Sequence, residues 1–123
     1  SACAKGGQWE KAVELLNSMQ NRGVEPNVLS YSAAISACEK GGQWEKALDL
    51  LDSMEKYGVL PDVITCNVVI SACGKGGRGD LALDLFELMK DRGVQPNVAT
   101  FSAAISACTK GGQWEKALEL FNL

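Results

Sequence analysis

The chain has 123 residues, of which 46% are hydrophobic, 22% charged and 7% aromatic, the composition of a folded globular domain, which sets aside disorder and collagen-like order. No run nears the roughly 18 to 20 apolar residues that span a bilayer, histidine is absent, and five cysteines without a C-x-x-C pair suggest neither a disulfide framework nor a zinc ribbon. Without histidine the usual general base, the Ser/His and Cys/His nucleophile pairs and the commonest zinc ligand are missing, while a net charge of −3 argues at face value against a nucleic-acid partner.

In chain order the elements repeat. Ser1-Ala-Cys-Ala-Lys-Gly-Gly-Gln-Trp-Glu-Lys-Ala recurs from Ser36 and Ser106 with one change each, and from Ser71 with several. A second landmark, Gly-Val-x-Pro-Asn/Asp-Val, begins at Gly23, Gly58 and Gly93, so the spacing is 35 residues throughout. Ser1 to Lys5 reads as the end of a first helix, closed by Gly6-Gly7 and followed by a second helix. From Val28, the residues Tyr31, Ala34, Ile35 and Cys38 follow the i, i+3, i+4, i+7 spacing of one helix face. Gly41-Gly42 breaks that helix, and a second starts near Gln43 with Trp44, Ala47, Leu48 and Leu51 at the same spacing, widened by Leu50 and Met54. So broad a stripe predicts a helix wedged between neighbours. Gly58 suits a left-handed C-terminal turn, Pro61 stops the helix, and Asp62 or Thr65 is placed to cap the next one. Cys66, Val69, Ile70 and Cys73, then Phe101, Ala104, Ile105 and Cys108, repeat the first-helix stripe.

Helical hairpins of this length cannot bury their own apolar faces, so the prediction is an all-α, open right-handed solenoid of stacked hairpins. Its units are 28–62 and 63–97, flanked by partial units 1–27 and 98–123. Ser1 falls inside a first helix and Leu123 inside a second, as expected of part of a longer array. The cysteines on the stripe, Cys3, Cys38, Cys73 and Cys108, read as small packing residues, and Trp9, Trp44 and Trp114 as packing residues at the start of second helices. Gly74-Lys-Gly-Gly-Arg-Gly lacks the Gly-Lys-Ser/Thr and preceding strand of a phosphate loop. Carboxylates such as Glu45 and Asp49 have surface-ridge spacing with no pocket to raise a pKa, so no catalytic role and no cofactor is expected.

The 34-residue tetratricopeptide repeat opens with Trp-x-x-Leu-Gly-x-x-Tyr, which is missing here. The starts Val28-Leu-Ser-Tyr-Ser and Val98-Ala-Thr-Phe-Ser, the Lys-Gly-Gly turn, the Glu-Lys-Ala-Leu-x-Leu second helix and the closing Gly-Val-x-Pro-Asn/Asp closely resemble the pentatricopeptide repeat family over the whole chain. Unit 63–97 departs from it in having Cys66 where an aromatic is usual and Gly79 where its siblings have tryptophan. The resemblance implies sequence-specific binding of single-stranded RNA in a mitochondrion or chloroplast, one nucleotide per repeat. It implies that each base is read by the residue four after the opening valine together with the last residue of the unit. Those pairs are Ser32 with Asp62, for guanine, and Asn67 with Asn97, for a pyrimidine with cytosine favoured; Asn27 and Ser102 are half-pairs. Asp62 is an acceptor for guanine's N–H donors, and amides serve either edge of a pyrimidine. The family's base-clamping positions fall at Leu29, Ile64 and Ala99.

Sorting the charges by helix alters the meaning of −3. The first-helix segments hold Lys5, Lys40, Lys75 and Lys110 against Glu39 alone, whereas the remainder holds eight bases and fourteen acids. Acids at Glu45, Asp49 and Asp52, and at Asp80, Asp84 and Glu87, form a ridge on the second helices. The four lysines repeat along the side that first helices line in such solenoids and are placed to track phosphates. The expected function is therefore a non-catalytic RNA-binding adaptor. The competing expectation is a structural or protein-interaction scaffold in an organellar complex, with no small-molecule substrate in either.

Overall fold

Capping chemistry sets the helix boundaries in the computed structural model, which describes residues 2–110, with side chains from 8 to 109. The helices are α1 (Ala2–Asn21), α2 (Val28–Lys40), α3 (Trp44–Lys56), α4 (Val63–Lys75), α5 (Gly79–Asp91) and α6 (Val98–Lys110). Asn27 caps α2 by accepting from Ser30 N at 3.0 Å, and Asp62 caps α4 by accepting from Thr65 N at 2.9 Å. Asn97 caps α6 the same way, its Oδ1 accepting from Thr100 N at 3.1 Å. Such caps satisfy amide donors the helix cannot, each worth about 1 kcal/mol.

The C-terminal ends are equally regular. Gly58 has φ +78°, its N–H donates to Glu55 O, and Val59 N donates to Met54 O at 2.8 Å, the double bond pattern of a Schellman motif. After α2 the same pattern uses Gly42, with φ +72° and Gln43 N donating to Cys38 O at 2.8 Å. The glycine before it serves another purpose. Gly41 has an ordinary φ of −83°, but a Cβ there would lie 2.6 Å from Cδ1 of Trp9. Gly76 likewise faces the Trp44 indole. In the pairs Gly41-Gly42 and Gly76-Gly77, the first glycine receives a tryptophan from the preceding hairpin and the second makes the turn.

Helices α2, α4 and α6 stack directly as one row, with α3 nested against α2 and α4, and α5 against α4 and α6. The expected stripes form the core. Tyr31, Ala34, Ile35 and Cys38 from α2, and Cys66, Val69, Ile70 and Cys73 from α4, are buried together with Ala47, Leu50, Leu51 and Met54 of α3. Each large apolar side chain removed from water contributes about 1.5 to 3 kcal/mol. Phe101 and Ile105 are more exposed than their counterparts, α6 being flanked on one side only among the described residues.

One expectation is corrected. A first-helix piece ending at Lys5 and a turn at Gly6-Gly7 do not form; α1 runs unbroken from Ala2 to Asn21. Helical glycine costs about 1 kcal/mol relative to alanine. The Gly-Gly turns after α2 and α4 are held by a docked tryptophan and by helices packed on several neighbours. Among the described residues helix α1 packs on α2 alone, so its own i→i−4 hydrogen bonds decide. Lys5 thus lies inside a helix. Its side chain, with those of Cys3, Lys110 and Trp114, lies outside the described residues, as do the structures of Ser1 and 111–123.

Candidate functional site

The capping residues double as the candidate reading residues. Asn27, Asp62 and Asn97 stand exposed at the N-termini of α2, α4 and α6, while Ser32, Asn67 and Ser102 occupy the fifth position of those helices. The structure joins one of the two complete pairs. Asn67 Nδ2 donates to Asn97 Oδ1 at 3.2 Å, linking residues 30 positions apart. Beneath them Thr100, fully buried, accepts from Asn97 N at 3.0 Å. Its hydroxyl reaches the oxygens of both Asn67 and Asn97, and having a single proton it shares that donor between them. Ser32 and Asp62 are not hydrogen-bonded to each other among the described residues. Asp62 Oδ1 instead accepts from Thr65 N and from the Thr65 hydroxyl at 2.7 Å.

Beside these pairs the second residue of each stacked helix is apolar and exposed. Leu29 is 74% and Ile64 62% exposed, and in α6 the equivalent residue is Ala99, exposed but with little side chain to offer. Exposed aliphatics at a fixed 35-residue interval form a row of flat contacts of the kind that stacks against ring faces.

Lys40 and Lys75 lie at the C-terminal ends of α2 and α4, where they favour the helix dipole. Lys40 and Lys75 line one groove of about 890 Å³ together with Gln8, Ser36 and Glu39. Lys75 is not unpaired: its ammonium contacts the Glu39 carboxylate, itself largely buried, across α2 and α4. The signal for this pair is in the sequence, because the residue 36 positions before Lys75 is Glu39, whereas Ala4 and Gly74 precede Lys40 and Lys110 at that interval.

The remaining reactive groups are structural. Cys38, Cys66, Cys73 and Cys108 are buried, and burial pushes Cys66 and Cys73 up to about 11, so these two do not form thiolate nucleophiles near neutrality. Among the described residues no group of side chains is arranged to hold a metal ion, and no helix is long and apolar enough to cross a membrane. Trp44 is partly buried against the core, with the Arg78 guanidinium 5.2 Å from its ring centroid. Arg78 also pairs with Asp80 at 3.1 Å, and this hydrogen bond holds the Asp80 carboxyl below its ordinary range. The acids Glu45, Asp49, Asp52, Asp80, Asp84 and Glu87 are all exposed on α3 and α5.

The arrangement is thus a row of polar cap residues, exposed aliphatics and lysines at equal intervals along stacked helices. Residues 1–41 and 14–76 match the pentatricopeptide repeat domain, 61–110 the PPR repeat family and 99–123 the PPR repeat. The chain belongs to the pentatricopeptide repeat family. None of the curated proteins compared matches it. The crystal structure of the pentatricopeptide repeat protein PPR10 from maize is 32% identical over 98% of this chain, with a TM-score of 0.80. The PPR10 structure in complex with an 18-nt psaJ RNA element is 33% identical over 97%, also at 0.80. This chain spans 17% and 18% of those two. The PPR domain of Arabidopsis thaliana protein-only RNase P 1, in complex with tRNA, shares the fold at 16% identity and a TM-score of 0.72, over 92% of this chain and 62% of that one.

Proposed function

We propose that this chain is a stretch of an array that binds single-stranded RNA, one nucleotide per unit, as a non-catalytic adaptor in a mitochondrion or chloroplast. The units are 28–62 and 63–97, with partial units 1–27 and 98–123. Ser32 with Asp62 reads guanine, Asn67 with Asn97 reads a pyrimidine, and Asn27 and Ser102 complete pairs with residues outside the chain. Leu29, Ile64 and Ala99 flank the bases, and Lys5, Lys40, Lys75 and Lys110 face the phosphates. The observation that carries this reading is the hydrogen bond between Asn67 and Asn97. It brings the two positions of one reading pair, 30 residues apart, to a single point beside the exposed Ile64. The solved complex of PPR10 with RNA supports the same partner class.

The test is a salt titration. With Lys75 engaged by Glu39, the contacts of Lys5, Lys40 and Lys110 give a slope of about −2 in log affinity against log salt for a single strand, or roughly 20-fold lost between 50 and 200 mM. Binding to a pool of single-stranded RNA oligonucleotides that weakens in this way supports the reading. Absent or salt-independent binding overturns it in favour of a protein scaffold, for which the Glu39–Lys75 pair and the exposed acidic ridge are the supporting observations.

A further inference from the structure

The hairpins differ at the head of the first-helix stripe, where Tyr31 and Phe101 are aromatic and Cys66 is not. The ring of Tyr31 is fully buried, and its hydroxyl meets Gln20 Nε2 at 3.3 Å and Ser53 Oγ at 3.4 Å. The ring of Phe101 packs edge-on against Phe86 with centroids 5.2 Å apart. Moved by one 35-residue unit, those three neighbours become Glu55, Leu88 and Leu51. All three line one cavity of about 270 Å³ that also borders Cys66. The cavity therefore occupies the volume a ring at position 66 would fill. Its walls are otherwise aliphatic, from Leu85, Met89 and Val94, and it is bordered by Leu60, which is 81% exposed. Polar groups enter only at the Glu55–Arg92 ion pair, where Glu55 takes the place of the Gln20 that meets the tyrosine hydroxyl. Apolar cavities of about 150 Å³ are large enough to hold a benzene ring, and this one is larger.

We propose that this cavity is a binding site for a small monocyclic phenol, whose ring takes the place of the missing side chain between Leu51 and Leu88 and whose hydroxyl donates to the Glu55 carboxylate. The ring takes the place that the Tyr31 ring holds in the preceding hairpin, with the polar contact reversed: the Tyr31 hydroxyl accepts from Gln20 Nε2, whereas the phenol donates to Glu55. The site is independent of the RNA-reading positions, none of which lines the cavity.

The test is nuclear magnetic resonance on the 123-residue chain with p-cresol as the probe. Expected are saturable shifts and intermolecular nuclear Overhauser contacts from the p-cresol ring to the methyls of Leu51, Leu88 and Met89, with toluene binding several-fold more weakly. Cys66→Phe supplies the ring internally and abolishes both effects, while Tyr31→Cys opens the equivalent space in the preceding hairpin and raises the stoichiometry from one to two. No saturable contact in the unaltered chain overturns the proposal, as does binding that persists in Cys66→Phe or toluene binding as tightly as p-cresol. The measurement on the unaltered chain decides the matter even if a variant fails to fold.

Discussion

Asp62 serves its own helix before it serves any ligand: Oδ1 accepts from the backbone and hydroxyl of Thr65, which leaves Oδ2 uncommitted among the described residues. Capping and base reading are thus separable by substitution. Asp62→Asn keeps an acceptor at the cap, so urea unfolding is expected to change by less than about 0.5 kcal/mol. It exchanges a carboxylate for an amide, and competition between short RNAs is expected to show the preference at that position moving from guanine toward adenine. Asp62→Ala loses the cap as well, at a cost of about 1 kcal/mol. A base preference that Asp62→Asn leaves where it was contradicts the pairing with Ser32. The Asn67 and Asn97 pair differs in that Thr100 supports it from below, and this contact was not readable from the chain. Threonine at the third position of a helix announces a capping box, but not that its hydroxyl also reaches an asparagine 33 residues earlier.

Within single elements, much was legible and the exceptions have physical causes. The stripes of α2 and α4 are buried as their 3.6-residue periodicity predicts, because every hairpin there has neighbours on which to lay its apolar face. The glycine pairs were legible as breaks. That Gly41 and Gly76 are receptors for an indole was not, since the contact runs, for example, from Trp44 to Gly76. The same cause accounts for α1, where the pair Gly6-Gly7 is read as a turn from its chemistry alone but remains helical with only α2 to pack on among the described residues. A double-mutant cycle tests the docking. Gly76→Ala drives a methyl into the Trp44 ring and is expected to cost about 1 to 3 kcal/mol, as overpacked cores do. In a Trp44→Ala background most of that cost is expected to vanish in chemical denaturation. An equal cost in both backgrounds assigns the glycine to backbone conformation alone.

Across the whole molecule, charge is segregated between layers rather than balanced within them. The stacked row α2, α4 and α6 presents lysines at its C-terminal ends, and the nested helices α3 and α5 present the exposed acids, so the net −3 describes neither face. The array tempers its own basic face through Glu39, which draws Lys75 across to α2. Glu39→Gln releases that ammonium and is expected to tighten RNA binding several-fold at low salt, steepening the salt slope by about 0.7, the increment for one more phosphate contact on a single strand. Affinity and slope both unchanged in a filter-binding titration show that Lys75 does not face phosphate. The equal spacing, the hairpin architecture and the acidic ridge could all be read from the chain. The Glu39 contact could be placed only once α2 and α4 were known to lie side by side.

The docking of an indole into the glycine of the next turn has a mechanical consequence. Each such ring fastens one hairpin to its successor, as Trp9 does at Gly41 and Trp44 at Gly76. At the next interval the chain has Gly79, buried at the start of α5, in place of an indole. The same hairpin lacks the aromatic at position 66. Pulled from its two ends, the array is therefore fastened unevenly. The load passes through two joints latched by an indole and then reaches one held differently, by the Phe86–Phe101 ring contact and the close approach of Gly74 to Ala107.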